Sequence, residues 1–142
     1  MASINPYLNF PGNTEEVFKF YKSVFGGEFL SVQRFKDTPD SDKMPADVGN
    51  MIMHISLPIG KGNVLMATDA PASMGFNLVQ GNNMYICISP DSEEEATNLY
   101  NGLSAGGTIS MALQKMFWGA LYGDFTDKFG VKWMVNYDMN QK

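Results

Sequence analysis

The residues of this chain with the means to do chemistry are few. It has one histidine, His54, and one cysteine, Cys87. A histidine in a site would serve as general base or as one ligand to a metal, and strict alternation along its strand would put His54 on a face with Ile52 and Ser56. A hydrogen-bonded structural histidine is the plainer expectation. Cys87 lies inside the apolar run MYICI, which reads as a small buried hydrophobe rather than a nucleophile. Asp69, Asp124 and Asp127 stand near expected strand ends. Asp127 precedes Lys-Phe-Gly, where aspartate bonds its own backbone. Asp124 follows Tyr122-Gly123 and would orient a substrate or a turn, the turn being the plainer expectation. The glycine pairs and GKG are too isolated to signal phosphate binding.

These residues are carried by a unit that occurs twice. NPYLNF, from Asn5, leads into NTEEVFKFYKSVFGG; MYICIS, from Met84, leads into SEEEATNLYNGLSAGG. Asn13 with Glu16, and Ser92 with Glu95, have the spacing of a helix capping box. Val17, Phe20, Tyr21, Val24 and Phe25 fall on one helical face, and Ala96, Leu99, Tyr100 and Leu103 on the matching one. Gly26-Gly27 and Gly106-Gly107 supply the stops. After the first helix come a strand near Glu28 to Phe35 and a polar, exposed loop from Lys36 to Asn50. A hairpin then runs from Met51 to Asp69 through PIGKG. APASMGFNLVQGNN links the halves and carries enough apolar weight to drape over something. The second half repeats the order, with strands near Thr108 to Leu113, Met116 to Phe125 and Val131 to Tyr137. The expectation is α+β: two paired βαβββ modules, about 1–70 and 82–142, forming one domain whose open, curled mixed sheet surrounds a cavity.

Composition narrows the function classes. With 142 residues, 44% apolar and 18% charged, the chain is long enough for a substantial core. A net charge of −5, with scattered basic residues, speaks against nucleic acid. No apolar stretch reaches the ~20 residues needed to span a bilayer, and no signal-peptide pattern opens the sequence, so no membrane is expected. One cysteine cannot form an internal disulfide, which suits a reducing cytoplasm.

PYLNF, GNTEEVFKFYKSVFGG, MHISLPIG, VLMATDAP and YGDFTDKFGVKW, in this order, resemble the vicinal-oxygen-chelate superfamily of glyoxalases, bleomycin-resistance proteins and extradiol dioxygenases. Within it they look most like the PhnB-like branch, often labelled a 3-demethylubiquinone 3-methyltransferase domain. The resemblance covers nearly the whole chain. It implies two modules curling around a shared cavity, and a homodimer. The methyltransferase label finds no support in the residues, because no glycine-rich strand-to-helix turn is present to grip a nucleotide-like cofactor.

The resemblance also implies a divalent metal held by His, Glu or Gln from the first and last strands of each module. Carried over by motif spacing, those positions fall near Asn5, Met66, Met84 and Met134. An amide and three thioethers do not suit Zn²⁺, Mn²⁺ or Fe²⁺, so no cofactor is expected, a divalent metal being the alternative. Eleven methionines make an adaptable apolar lining instead. Met66, Met84, Met134, Trp118 and Phe76 would form the pocket, with Asn5, Tyr7, His54 and Tyr122 as polar handles. The expected function is metal-free binding of a small apolar or aromatic molecule. The alternative is an enzyme: a metal-dependent lyase or dioxygenase, or a metal-free isomerase with His54 as base.

Overall fold

A computed structural model describes residues 2–39 and 41–140. The chain divides into two compact units, residues 1–79 and 80–142. In the first, β1 (Tyr7–Phe10) leads to α1 (Thr14–Phe25) and β2 (Ser31–Arg34). Next come a four-residue helix α2 (Ala46–Gly49) and the hairpin of β3 (Ile52–Gly60) and β4 (Asn63–Asp69). The second holds β5 (Ile86–Ile88), α3 (Glu93–Ser104), β6 (Thr108–Lys115), β7 (Ala120–Thr126) and β8 (Lys132–Asp138). The sheets have the same topology, β1-β4-β3-β2 and β5-β8-β7-β6. In each, the first strand pairs parallel to the last and the other pairings are antiparallel. The architecture is therefore α+β, as two βαβββ repeats.

One face of each sheet is packed and the other open, because side chains alternate along a strand. In the first unit Ile55, Leu57, Leu65 and Ala67 are fully buried along with Val17, Phe18 and Tyr21 of α1. Trp133, Val135 and Phe125 are buried in the second, with Ala96 and Leu103 of α3 fully covered too. Tyr100 lies edge-on to Phe125, 5.2 Å between centroids, and donates its hydroxyl to the Met111 carbonyl at 2.9 Å. This packing demands glycine beneath it: a Cβ at Gly123 would lie 2.7 Å from the Tyr100 ring.

The two helices begin differently. Ser92 accepts the Glu95 N–H at 3.0 Å, and Glu95 reaches back to the Asp91 N–H at 2.7 Å, one residue beyond an ordinary capping box. Asn13 makes no such bond, contrary to the spacing. Its place is taken by Asp69, at the end of β4, which accepts the Thr14 N–H at 3.0 Å and the Ile52 N–H at 2.8 Å. A buried carboxylate from another strand, favoured by the positive end of the helix, thus caps α1. At the other ends, Gly26, Gly27 and Gly106 adopt positive φ, whereas Gly107 is needed for space, since a Cβ there would meet the Thr126 carbonyl.

Further expectations need correction. The segment from Lys36 to Asn50 is not simply an exposed loop: it forms short helical turns, and Val48 is fully buried. The segment linking the halves does not bury its own large apolar side chains by draping: Phe76 and Leu78 are 49% and 37% exposed. Ile52 does not share the face of His54. Gln33 pairs with His54 and Arg34 with Ile52, so Met53 is an extra residue that reverses the alternation.

Candidate functional site

The open face of the first sheet is ordered by strand register. Tyr7 on β1 lies opposite Met66 on β4, and Met66 opposite Ser56 on β3. One step along, Asn9 lies opposite Thr68, and His54 opposite Gln33. The Tyr7 hydroxyl sits 3.2 Å from His54 Nδ1, with the two rings tilted at 5.7 Å between centroids. Partial burial pushes the Tyr7 pKa up, so the phenol stays protonated and suited to donate to the imidazole. Asn5 precedes the strand, and its Oδ1 accepts the Val64 N–H at 2.9 Å, which fastens β1 to β4. Tyr7, His54 and Met66 are thus brought together, while Asn5 is committed to backbone.

On the second sheet Cys87 of β5 lies opposite Met134, Met134 opposite Asp124, and Asp124 opposite Met111. The next row holds Asn136, Tyr122 and Gln114. Tyr122 donates its hydroxyl to Asp124 Oδ2 at 2.9 Å. Burial, then this bond and the Asp124 charge, and then Tyr85 and Cys87 push the Tyr122 pKa up to about 12. Lys132, one row from Met134, lies 5.2 Å over the Tyr85 ring and 3.3 Å from Thr126 Oγ1. Met84 precedes β5 and is 63% exposed. Trp118, in the turn between β6 and β7, stacks edge-on against Phe117 at 5.0 Å and lies outside these rows.

Two residues of this face depart from the sequence reading. Asp124 stabilises no turn; it sits in the middle of β7, 8% exposed, beside Met134. Its signal was alternation with Tyr122 across a glycine, masked by the turn-like triplet YGD. Cys87 is an exposed free thiol rather than a core residue, although partial burial of the thiol still pushes its pKa up. Asp127 does hold its turn. Oδ1 accepts the Phe129 and Val131 N–H groups at 2.9 and 3.0 Å, and Oδ2 accepts the Trp133 indole at 2.9 Å.

The register also revises where ligands from a first strand would stand. Tyr7 and Cys87, not Asn5 and Met84, lie opposite Met66 and Met134. A phenol and two thioethers are poor donors for a hard or borderline divalent ion, and Cys87 supplies a single thiol, too few ligands for zinc. Among the described residues no group of three or more His, Cys, Asp or Glu side chains is placed to hold a metal. The residues at these paired positions are therefore not the His, Glu or Gln ligands that the superfamily's metal takes.

Two βαβββ repeats, each with a parallel first-to-last strand pair and an open face, define a glyoxalase-type fold. The chain belongs to the Glyoxalase/Bleomycin resistance protein/Dioxygenase superfamily, whose profile matches residues 3–135. It is 30% identical to Protein YjdN of Escherichia coli, over 94% of this chain and 93% of that one. Among solved structures it is similar to protein PA1353 from Pseudomonas aeruginosa, with 38% identity, a TM-score of 0.84 and coverage of 97% and 98%. The PhnB protein of Bacillus cereus shares the fold at 24% identity and a TM-score of 0.74, over 96% and 99% of the two chains. No helix among the described residues is long and apolar enough to cross a membrane.

Proposed function

We propose that this chain binds a small, largely apolar or aromatic molecule without a divalent metal. The observation that carries the reading is the donor set at the paired positions: Tyr7 with Met66 and Cys87 with Met134. These groups suit rings and alkyl chains better than a chelated ion, because thioethers are polarizable and adapt to apolar partners. The large apolar side chains that the chain leaves uncovered, Phe117 at 98% and Ile4 at 89% among them, support a homodimer. A reducing cytoplasm suits its single free thiol.

A panel of substituted benzenes and short aliphatic compounds, followed by protein-observed NMR, tests the reading. Shifts should gather on the open sheet faces, and protein dialysed after incubation with Mn²⁺, Fe²⁺, Ni²⁺ or Zn²⁺ should keep no stoichiometric metal. About one ion retained per chain, and lost in His54→Ala, sinks the metal-free reading. The Tyr7–His54 contact favours a second reading, a metal-free isomerase with His54 as base: in the tautomer whose Nδ1–H donates to the Tyr7 oxygen, Nε2 is free to take a proton. Under that reading His54→Ala abolishes turnover; under the first it changes affinity only modestly.

A further inference from the structure

Three aspartates are buried among the described residues, and two are fully employed. Asp69 receives a backbone N–H on each oxygen. Asp127 receives two on Oδ1 and the Trp133 indole on Oδ2. Asp124, only 8% exposed, receives the Tyr122 hydroxyl on Oδ2, and nothing among the described residues donates to Oδ1. Oδ1 is not among the fully buried atoms that lack a partner, so it still meets solvent, and a carboxylate oxygen so placed is bonded best by a positively charged donor. Lys132 is not that donor, since its ammonium is turned to Thr126 and the Tyr85 ring.

The surroundings of Asp124 match a cation that carries an apolar body. Met134 and Met111 flank it in register on either side, and Cys87 lies opposite Met134. Thioethers accept the carbon skeleton beside an ammonium group. Tyr122 is committed as a donor to Asp124, so the face offers an incoming ligand a carboxylate oxygen to bond. We propose that the open face of the second sheet binds an aromatic or apolar primary amine, its ammonium on Asp124 Oδ1 and its hydrophobic body against Met134 and Met111. This rests on the small-molecule reading above and narrows it to one ligand class.

Two probes with the same skeleton separate the claims: 2-phenylethylamine, cationic at neutral pH, and 2-phenylethanol, neutral. Titrated into the full chain and followed by NMR, the amine should bind about tenfold more tightly, as expected for a charge-assisted hydrogen bond. Asp124→Asn should erase that preference while keeping the affinity for the alcohol. Tyr122→Phe, which retains the carboxylate, should keep the preference and covers the case in which Asp124→Asn fails to fold. Equal binding of both probes overturns the amine assignment and leaves the small-molecule reading standing. A preference that survives Asp124→Asn overturns the role of Asp124. If neither probe binds, the proposal falls, and the wider reading falls with it only if the panel of neutral compounds fails as well.

Discussion

The two repeats share one topology but secure it with different carboxylates. In the first, Asp69 reaches from the last strand to the start of α1, 55 residues away in sequence, and also holds the first amide of β3. In the second, Ser92 caps α3 locally, and the buried carboxylate, Asp127, works instead on the turn before the last strand and on the Trp133 indole. One repeat ties its helix to its sheet through a polar contact. The other ties its last hairpin to its core. A duplicated architecture therefore does not require duplicated fastenings.

Substitution at those fastenings tests the contrast, beginning with the carboxylates. Asp127→Ala should destabilise the protein by about 3 kcal/mol, because it strands a buried indole N–H and two turn amides. Asp69→Ala should cost about 2 kcal/mol through the loss of two charge-assisted bonds. Urea unfolding of both variants gives the comparison, and a loss below about 0.5 kcal/mol at either site, the usual range for an exposed position, would mean that its aspartate is not a fastening.

The caps should diverge next. Ser92→Ala should cost about 1 kcal/mol, whereas Asn13→Ala should be near neutral, since Asn13 Oδ1 is buried without a partner and caps nothing. Equal losses in thermal or urea unfolding would restore the sequence expectation of twin capping boxes.

A smaller loss than at the Ser92 cap is expected at Glu15 and Arg34, which join α1 to the end of β2. The guanidinium donates to both Glu15 oxygens, at 3.1 and 2.6 Å, and to the Asn50 carbonyl at 2.7 Å. The hydrogen bond from Arg34 lowers the Glu15 pKa, against a smaller opposing effect of burial. The stability from this pair is complete above the unfolded glutamate value of about 4.3 and is lost as pH falls through the lower folded value. The Glu15 side chain is 41% exposed, so Glu15→Gln should cost only about 0.5 kcal/mol at neutral pH. The two proteins should converge in acid, and a gap that persists there would remove the ion pair as its cause.

The fold was largely legible because its signals are local and periodic. The apolar stripe from Val17 to Phe25, the Ser92–Glu95 spacing and the glycine stops each specify their element within a few residues. The Asn13 cap was misread because its replacement comes from Asp69, a partner that no local window contains. Tyr7, His54 and Met66 were singled out from the sequence, and register brings them together. The turn expected at Asp124 and the burial expected of Cys87 are both overturned. A short run such as MYICI looks buried on both faces, and a glycine before an aspartate looks like a turn, until strand pairing assigns the faces. The extra residue at Met53 leaves no signature in the sequence, yet it decides which neighbours His54 has.

The unequal lengths of the outer strands bear on solubility. Each sheet leaves two edge strands, and three of these, β1, β2 and β5, have only three or four residues, too few to template a stable pairing with another chain. The fourth, β6, has eight. Its register against β7 breaks between Ile109 and Met111 and again between Met111 and Gln114, and a lysine closes it at Lys115. Such breaks twist an edge away from flatness, and a terminal charge opposes stacking. The irregularities that align Met111 with Asp124 thus also guard the longest exposed backbone ladder against aggregation.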